Sequence, residues 1–306
     1  MADVTDVPPV GEVRAPGMDH QLYPFRALPA ARAFNWNTDH RVALTVTVMI
    51  DYWELVPPEE ASPDPRMVSP LGAFQPDWLT WSQHEYGNRV GIWRVLAMLD
   101  RYKIKPSVAL GTAAIARYPD IIEAVRERNG CFMAHGTHGT RRVTNSMEYL
   151  DEMLLVAECS EALAKVTGQP PLGWCGQHYS ESDRTPDLVG EAGFRYLIDW
   201  SNDDRPYKIG SESIVSLPAQ AEWSDIESMR HRGVAPHVWA DGVVEAFTVL
   251  HDEGGACFNL TLNPWIIGQP HRIRYLGDAL SRIMGRKKTW VTTTDEVYNR
   301  AVAMLG

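Results

Sequence analysis

The chain has 306 residues, of which 44% are hydrophobic and 22% are charged, as in ordinary globular domains. It carries 29 basic and 39 acidic residues, a net charge of −10, which argues against nucleic acid or an anionic membrane as a partner. No run approaches the roughly 18–20 apolar residues of a spanning helix. The acidic first residues also lack the pattern of a signal peptide. We therefore predict a globular, cytoplasmic protein.

Residues 1–40 contain several prolines and glycines without a regular period, which predicts an extended N-terminal arm. Residues 41–306 alternate apolar runs with amphipathic segments and are predicted to form a single domain. The predicted strands are Val42–Ile50, 106–110, Cys131–Ala134, 172–175, 196–200, 214–217, Ala256–Leu262 and 290–292. The predicted helices are 88–102, 112–128, 146–167 with Ser146 as N-cap, 185–193, 272–284 and 294–304. A proline-rich loop spans 57–76.

Alternating strands and helices indicate a parallel sheet covered by helices, and about eight strands favour a barrel over an open sheet. Active sites of such folds lie at the carboxyl ends of the strands. Acids, imidazoles and amides follow several predicted strands at this edge, namely Asp51, Glu54, His135, His138, His178, Asp204, Glu222 and Asn263. A carboxylate with an imidazole is what the activation of water requires, either directly or on a metal ion. The residues thus favour hydrolysis of a carbonyl compound.

Six segments of this chain form a recognisable series. They read Asp-Tyr-Trp-Glu at 51–54, Glu-Tyr-Gly-Asn-Arg-Val-Gly-Ile-Trp-Arg at 85–94, Ala-His-Gly at 134–136, Thr-Pro-Asp-Leu at 185–188, Asn-Asp-Asp-Arg-Pro-Tyr at 202–207, and Asn-Pro-Trp-Ile-Ile-Gly-Gln-Pro at 263–270. In order and spacing they resemble the polysaccharide deacetylase (NodB-homology) superfamily, and within it the allantoinase-like branch. The resemblance implies a distorted (β/α) barrel of about seven strands, of the glycoside hydrolase/deacetylase type. It also implies hydrolysis of an amide-type C–N bond by a cytoplasmic homo-oligomer, a dimer or tetramer.

The chain departs from the sugar deacetylases of that superfamily at three positions. Met49 stands where those enzymes place the catalytic base, and Gly139 stands where the second metal-binding histidine is expected, with His138 one residue earlier. Asn263 stands where the late strand of those enzymes usually ends in a histidine that serves as the acid. These departures argue against N-deacetylation of chitin or peptidoglycan.

The candidate site residues divide by chemistry. The predicted catalytic residues are Asp51, Glu54, Glu85, His135, Glu222 and Asn263, and the predicted substrate-binding residues are Trp53, Trp174, His178, Asp204 and Trp265. Asp51, His135 and His138 would suit a divalent metal such as Zn²⁺. If no metal binds, Asp51 or Glu54 must be the base. No organic cofactor is expected, because the sequence has no glycine-rich phosphate loop.

The predicted function is hydrolysis of a small, cyclic amide, ureide or imide by attack of water at the carbonyl. Asn263 or main-chain donors would hold the oxyanion, and the tryptophans would hold a flat, uncharged ring. Two alternatives remain open: a metal-dependent carbohydrate N- or O-deacetylase, and a non-catalytic barrel that binds a small molecule.

Overall fold

The computed structural model describes residues 20, 22–30, 34–36, 39–67, 76–210 and 214–305. Its described strands are β1 Val42–Ile50, β2 Ser107–Leu110, β3 Cys131–Ala134, β4 Gly173–Trp174, β5 Tyr196–Leu197, β6 Tyr207–Ile209, β7 Ile214–Ser216, β8 Ala256–Leu262 and β9 Thr289–Val291. They form one curled sheet in the order β6-β7-β5-β4-β3-β2-β1-β8, with β9 also paired to β1. All pairs are parallel except β6–β7. The predicted (β/α) barrel is confirmed.

Helices cover the outside of the sheet. They are α1 Trp78–Tyr86, α2 Ile92–Arg101, α3 Thr112–Arg117, α4 Pro119–Glu127, α5 Tyr149–Thr167, α6 Thr185–Glu191, α7 Pro236–Glu253, α8 Pro264–Ile267, α9 Ile273–Met284 and α10 Thr294–Leu305. A π-helical turn over Gly87–Gly91 joins α1 to α2. Within the described ranges, no helix is both long and apolar enough to cross a bilayer.

The alternation of side chains along β1 positions the site. Val42, Leu44, Val46, Val48 and Ile50 pack against the helices, whereas Ala43 and Met49 belong to the core inside the barrel. Successive side chains of a strand point to opposite faces. Asp51 is two residues after Met49, so its side chain points to the same face of the sheet. It therefore faces the inside of the barrel, just beyond the carboxyl end of β1.

Side-chain hydrogen bonds complete the free edge of β8. Gln220 donates from Nε2 to the carbonyl of Cys257 (2.9 Å) and accepts at Oε1 from the main-chain N–H of Asn259 (2.7 Å). Buried main-chain groups need such partners, and among the described residues β8 is paired with β1 as its strand neighbour. The Gln220 side chain thus forms hydrogen bonds with main-chain groups of β8 that another strand would bond in a closed barrel.

Several predicted helices were wrong in detail. Helices α1 and α7 were not predicted, and β6 is a further strand. The predicted helix 112–128 is two helices, because Pro119 cannot continue α3 and instead occupies the first turn of α4. Ser146 is not the N-cap of α5: that position is Glu148, and the Ser146 hydroxyl pairs with Thr144.

The predicted arm 1–40 and loop 57–76 lie partly outside the described residues. Where the arm is described, Trp36 is fully buried and its indole donates to the carbonyl of Ala256 (2.7 Å). Tyr23 packs against Trp200 and Tyr207. The described part of the loop includes a short 3-10 turn over Pro65–Met67.

Candidate active site

Asp51 and His135 meet at the carboxyl edge of the sheet, where β1 and β3 end. The Oδ2 atom of Asp51 lies 3.5 Å from Nε2 of His135. The imidazole is almost completely buried, while Asp51 keeps 16% of its side chain exposed. The structure therefore forms the carboxylate–imidazole pair that the sequence predicted.

The other nitrogen of His135 fixes the protonation of the ring. Nδ1 lies 2.6 Å from the carbonyl oxygen of Cys175, which can only accept, so Nδ1 must carry a hydrogen. Burial acts to lower the pKa of His135, but the charge of Asp51, its hydrogen bond and the Cys175 carbonyl outweigh burial and raise the pKa. Nε2 is consequently the nitrogen that exchanges a proton, and it does so beside a carboxylate.

Two amides hold Asp51 in place. Gln177 donates from Nε2 to Oδ1 of Asp51 (2.7 Å) and also to the carbonyl of His135. Asn88 donates from Nδ2 to the main-chain carbonyl of Asp51 (2.8 Å). Burial acts to raise the pKa of Asp51, but the His135 charge and the hydrogen bonds from His135 and Gln177 lower it overall. Both shifts favour an ionised Asp51 beside a protonated His135.

Replacing Asp51 with asparagine should lower the pKa of His135. The charge that raises the pKa is then lost, whereas burial still favours the neutral ring. An NMR titration of the histidine ring protons over about pH 5 to 8 measures this change. The control is Glu54→Gln, because Glu54 contacts Arg141, Thr140 and His138 instead of His135. An unchanged His135 pKa in Asp51→Asn would contradict the pairing.

Glu54 is held by cations and hydroxyls and is not a free base. Arg141 donates to both carboxylate oxygens (3.0 Å and 2.5 Å), and Thr140 donates to Oε2 (2.6 Å). Burial acts to raise the pKa of Glu54, but these hydrogen bonds and the charges of His138 and Arg141 lower it. Glu54 thus positions the segment after β3, and Asp51 is the better candidate for accepting a proton.

Asn263 lies at the same carboxyl edge of the sheet, the mouth of the barrel, at the end of β8. Asp225 holds Asn263 in place there. The main-chain N–H and Nδ2 of Asn263 each donate to Asp225 (both 2.8 Å). Asp225 is fully buried, and burial raises its pKa to about 7 despite these bonds. Of the two acids after β7, Asp225 therefore belongs to the site. Glu222, which was also predicted to be catalytic, has a side chain that is 79% exposed and pairs with Arg232 (2.7 Å).

An aromatic wall closes one side of the mouth. The ring of His84 stacks on Trp53, with centroids 3.7 Å apart and planes 14° apart, and lies 4.2 Å from Trp265. A small cavity is lined by Met49, Asp51, His84, Gly87, Asn88, Asn263, Pro264 and Trp265. The sequence predicted Trp53 and Trp265 but missed His84, which lies on the unpredicted helix α1.

Two other predicted substrate-binding residues are elsewhere. Trp174 is fully buried and packs on Phe194 in the outer core, because its parity in β4 turns it toward the helices. The main-chain carbonyl of Asp204 accepts from the N–H of Cys257, and Cys257 is in register with Ala43 near the start of β8. That position is roughly 26 Å from Asp51, at about 3.3 Å per residue of strand. The structure thus places neither residue beside the Asp51–His135 pair.

His178 and Glu85 have partners other than the Asp51–His135 pair, although His178 lies close enough for its charge to act on Asp51. His178 has a left-handed backbone (φ 54°), and its Nδ1 lies 3.8 Å from Asp64. Burial lowers the pKa of His178 to about 4, although both Asp51 and Asp64 raise it. Glu85 accepts from the Tyr118 hydroxyl (2.8 Å), which indicates a structural contact.

Comparison with known proteins agrees on the fold. A Pseudomonas aeruginosa PAO1 structure named as a polysaccharide deacetylase superposes with a TM-score of 0.80, at 24% identity over 91% of this chain and 97% of its own. The structure of PuuE allantoinase gives a TM-score of 0.79, at 23% identity over 89% and 94%. A Schizosaccharomyces pombe protein named as a polysaccharide deacetylase is 25% identical over 240 residues, 70% of this chain and 73% of its own. No protein-family model matches the chain.

The resemblance to the polysaccharide deacetylase superfamily is confirmed. The fold shared with polysaccharide deacetylases and PuuE allantoinase is a NodB-type (β/α) barrel. At these identities the likeness establishes the fold alone, and the chemistry depends on this chain's own residues.

The predicted metal set of this deacetylase-like fold does not form. His138 lies 4.0 Å from Glu54 rather than beside Asp51 and His135, and burial lowers its pKa. Across the described parts of the chain, no three His, Cys, Asp or Glu side chains converge in a way that could hold a metal ion. Gln177 Nε2, a donor, occupies Oδ1 of Asp51. Asp51, His135 and His138 therefore do not form a three-ligand metal site in this structure.

Proposed function

We propose that this chain is a hydrolase that opens a C–N bond of a small, uncharged cyclic amide, ureide or imide by attack of water at the carbonyl carbon. The observation that carries the proposal is the Asp51–His135 pair, in which the Cys175 carbonyl leaves Nε2 as the exchanging nitrogen. The coarser statement, a hydrolase of C–N bonds, draws support from relatives that are named as deacetylases and an allantoinase.

The two groups supply both proton transfers that the reaction needs. As the water oxygen bonds to the carbonyl carbon, Asp51 Oδ2 accepts the proton of the water. As the C–N bond breaks, His135 Nε2 donates its proton to the departing nitrogen. The proton on Asp51 then returns to His135 Nε2, its neighbour at 3.5 Å, and the resting pair is restored. The net reaction consumes one water and yields a carboxylic acid and a nitrogen that bears one more hydrogen.

The surroundings favour a small neutral substrate. The cavity beside Asp51 has room for about one water molecule as it stands, and it is lined by two asparagines, an aromatic wall and Met49. Neutral amides and flat rings suit a planar, uncharged ring better than a charged chain. Met49 occupies the inner position before Asp51 and offers no acid–base chemistry.

A substrate panel tests the proposal. Purified protein would be incubated with hydantoin, succinimide and N-acetylglucosamine oligomers, with acid release followed by pH-stat and acetate by enzymatic assay. We expect one acid group per ring opened and no acetate. Release of acetate alone would instead indicate a carbohydrate deacetylase. The name of the S. pombe relative supports that alternative. Binding of hydantoin or succinimide without turnover would contradict the proposed hydrolase activity. It would indicate a non-catalytic barrel that binds a small molecule.

A further inference from the structure

We infer that His84 is a neutral hydrogen-bond donor that selects substrates with a second carbonyl beside the ring N–H, that is, imides and ureides over simple lactams. The inference rests on the proposed function, because it names the substrate class of the same site. It begins from a residue of α1 that the acid–base chemistry does not use.

The position of His84 is fixed by its neighbours. The imidazole is 6% exposed and lies between the indoles of Trp53 and Trp265. Trp53 is held in turn by Gly139, where a side chain would overlap the indole. The ring of His84 also lines the cavity that Asp51 borders. Its orientation is therefore set before any ligand arrives.

The imidazole is uncharged. Burial lowers the pKa of His84 well below its ordinary value, and the positive charge of Arg230 acts in the same direction, against the opposing charge of Asp51. A neutral imidazole has one N–H and one lone pair. It can hold a carbonyl oxygen without taking part in proton transfer.

The hydrogen of that ring belongs on Nδ1. Nε2 is sealed from solvent and has no hydrogen-bond partner among the described residues. An unpaired buried N–H is rarer in proteins than an unpaired acceptor, so the lone pair lies on Nε2. Nδ1, the nitrogen that is not sealed, then carries the hydrogen and can donate it to a ligand.

The other amides of the cavity wall are those of Asn88 and Asn263. Asn88 donates one Nδ2 hydrogen to the Asp51 carbonyl, and Asn263 donates one Nδ2 hydrogen to Asp225. Each amide keeps its Oδ1 and its second Nδ2 hydrogen, so it can accept from a ring N–H as well as donate. Two such amides beside the neutral imidazole match a planar group in which an N–H stands beside a carbonyl. The carbonyl under attack lies at the Asp51–His135 pair, so the carbonyl at His84 is a second one.

A comparison of two ring ligands tests the inference. Succinimide has two carbonyls beside its N–H, and 2-pyrrolidinone has one. We expect the intact chain to bind succinimide about 10- to 100-fold more tightly, the range for one hydrogen bond to a buried group. Calorimetry would measure both dissociation constants before appreciable turnover. In His84→Phe, which keeps the ring stack and removes the donor, the preference should vanish while 2-pyrrolidinone binding stays the same.

Two further variants separate binding from structure. His84→Gln returns a neutral donor without the imidazole, so part of the preference should return. His237→Phe is the control, since His237 is exposed on α7 and should keep the full preference. The inference is overturned if His84→Phe still discriminates the two rings, or if the intact chain never does. If the chain prefers succinimide to 2-pyrrolidinone but hydrolyses no ring, the proposed function is contradicted while the role of His84 in binding is retained.

Discussion

Replacing His135 with glutamine should lower kcat/KM about 10²- to 10⁴-fold for whichever ring the intact chain opens, the usual range for removing a general acid. Glutamine fills a similar space but cannot donate the proton that the departing nitrogen needs. Steady-state kinetics measures the change, and circular dichroism checks the fold. The control is His251→Gln, another buried histidine bonded to a main-chain carbonyl, at the opposite end of the barrel. Equal rates in the His135 variant and the intact chain would remove His135 from the mechanism.

The same pair predicts the pH dependence of the intact chain. The active form needs Asp51 ionised, which holds above its lowered pKa, and His135 protonated, which holds below its raised pKa. kcat/KM should therefore fall on the alkaline side at a pH above the ordinary value of histidine. Two interacting groups titrate together, so the limbs belong to the pair.

Replacing Gly91 with alanine should destabilise the fold by about 3 kcal/mol or more, the upper part of the range for overpacking. A methyl group there would overlap the main-chain carbonyl of Pro264. Because this obstacle is backbone, no rotamer change can relieve it. Thermal unfolding should show Tm falling by roughly 6 °C or more.

The matched control for Gly91 is Gly242, which lies within α7. A methyl group at Gly242 meets nothing within 4 Å, so Gly242→Ala should stabilise the helix by about 0.5–1 kcal/mol. If Gly91→Ala were as stable as the intact chain, the close approach of the turn after α1 to α8 would be contradicted. Weaker substrate binding in any folded Gly91 variant is also expected, since Trp265 follows Pro264.

The sequence predicted the barrel and the central pair because both depend on local patterns. Apolar strands ending in polar residues placed Asp51, His135 and Asn263 at one edge, and the structure brings these strand ends together. The alternation of side chains along a strand also predicts that Trp174 faces the helices and not the inside of the barrel. Glu222 and Asp204 also follow predicted strands, but a place in the loop after a strand does not determine which way a side chain faces.

Other parts of the site depend on contacts that no local pattern contains. His84 sits in a helix whose exposed residues include Trp78 and Leu79, so its apolar period is weak. Whether His138 joins His135 depends on the turn after β3, where Glu54 attracts both His138 and Arg141. Gln177 and Asp225 act through hydrogen bonds to partners 126 and 38 residues away along the chain.

The pairing of β8 with β1 sets when this protein can finish folding during synthesis. Thr45 and Asn259 are joined by a hydrogen bond although 214 residues separate them, and loop closure over such distances is slow. While residues before β8 are being synthesised, β1 has left the ribosome and the edge that pairs with β8 has no partner strand. Nascent chains interrupted before β8 would thus expose an apolar strand edge that is prone to aggregate, and a chaperone would find its substrate there.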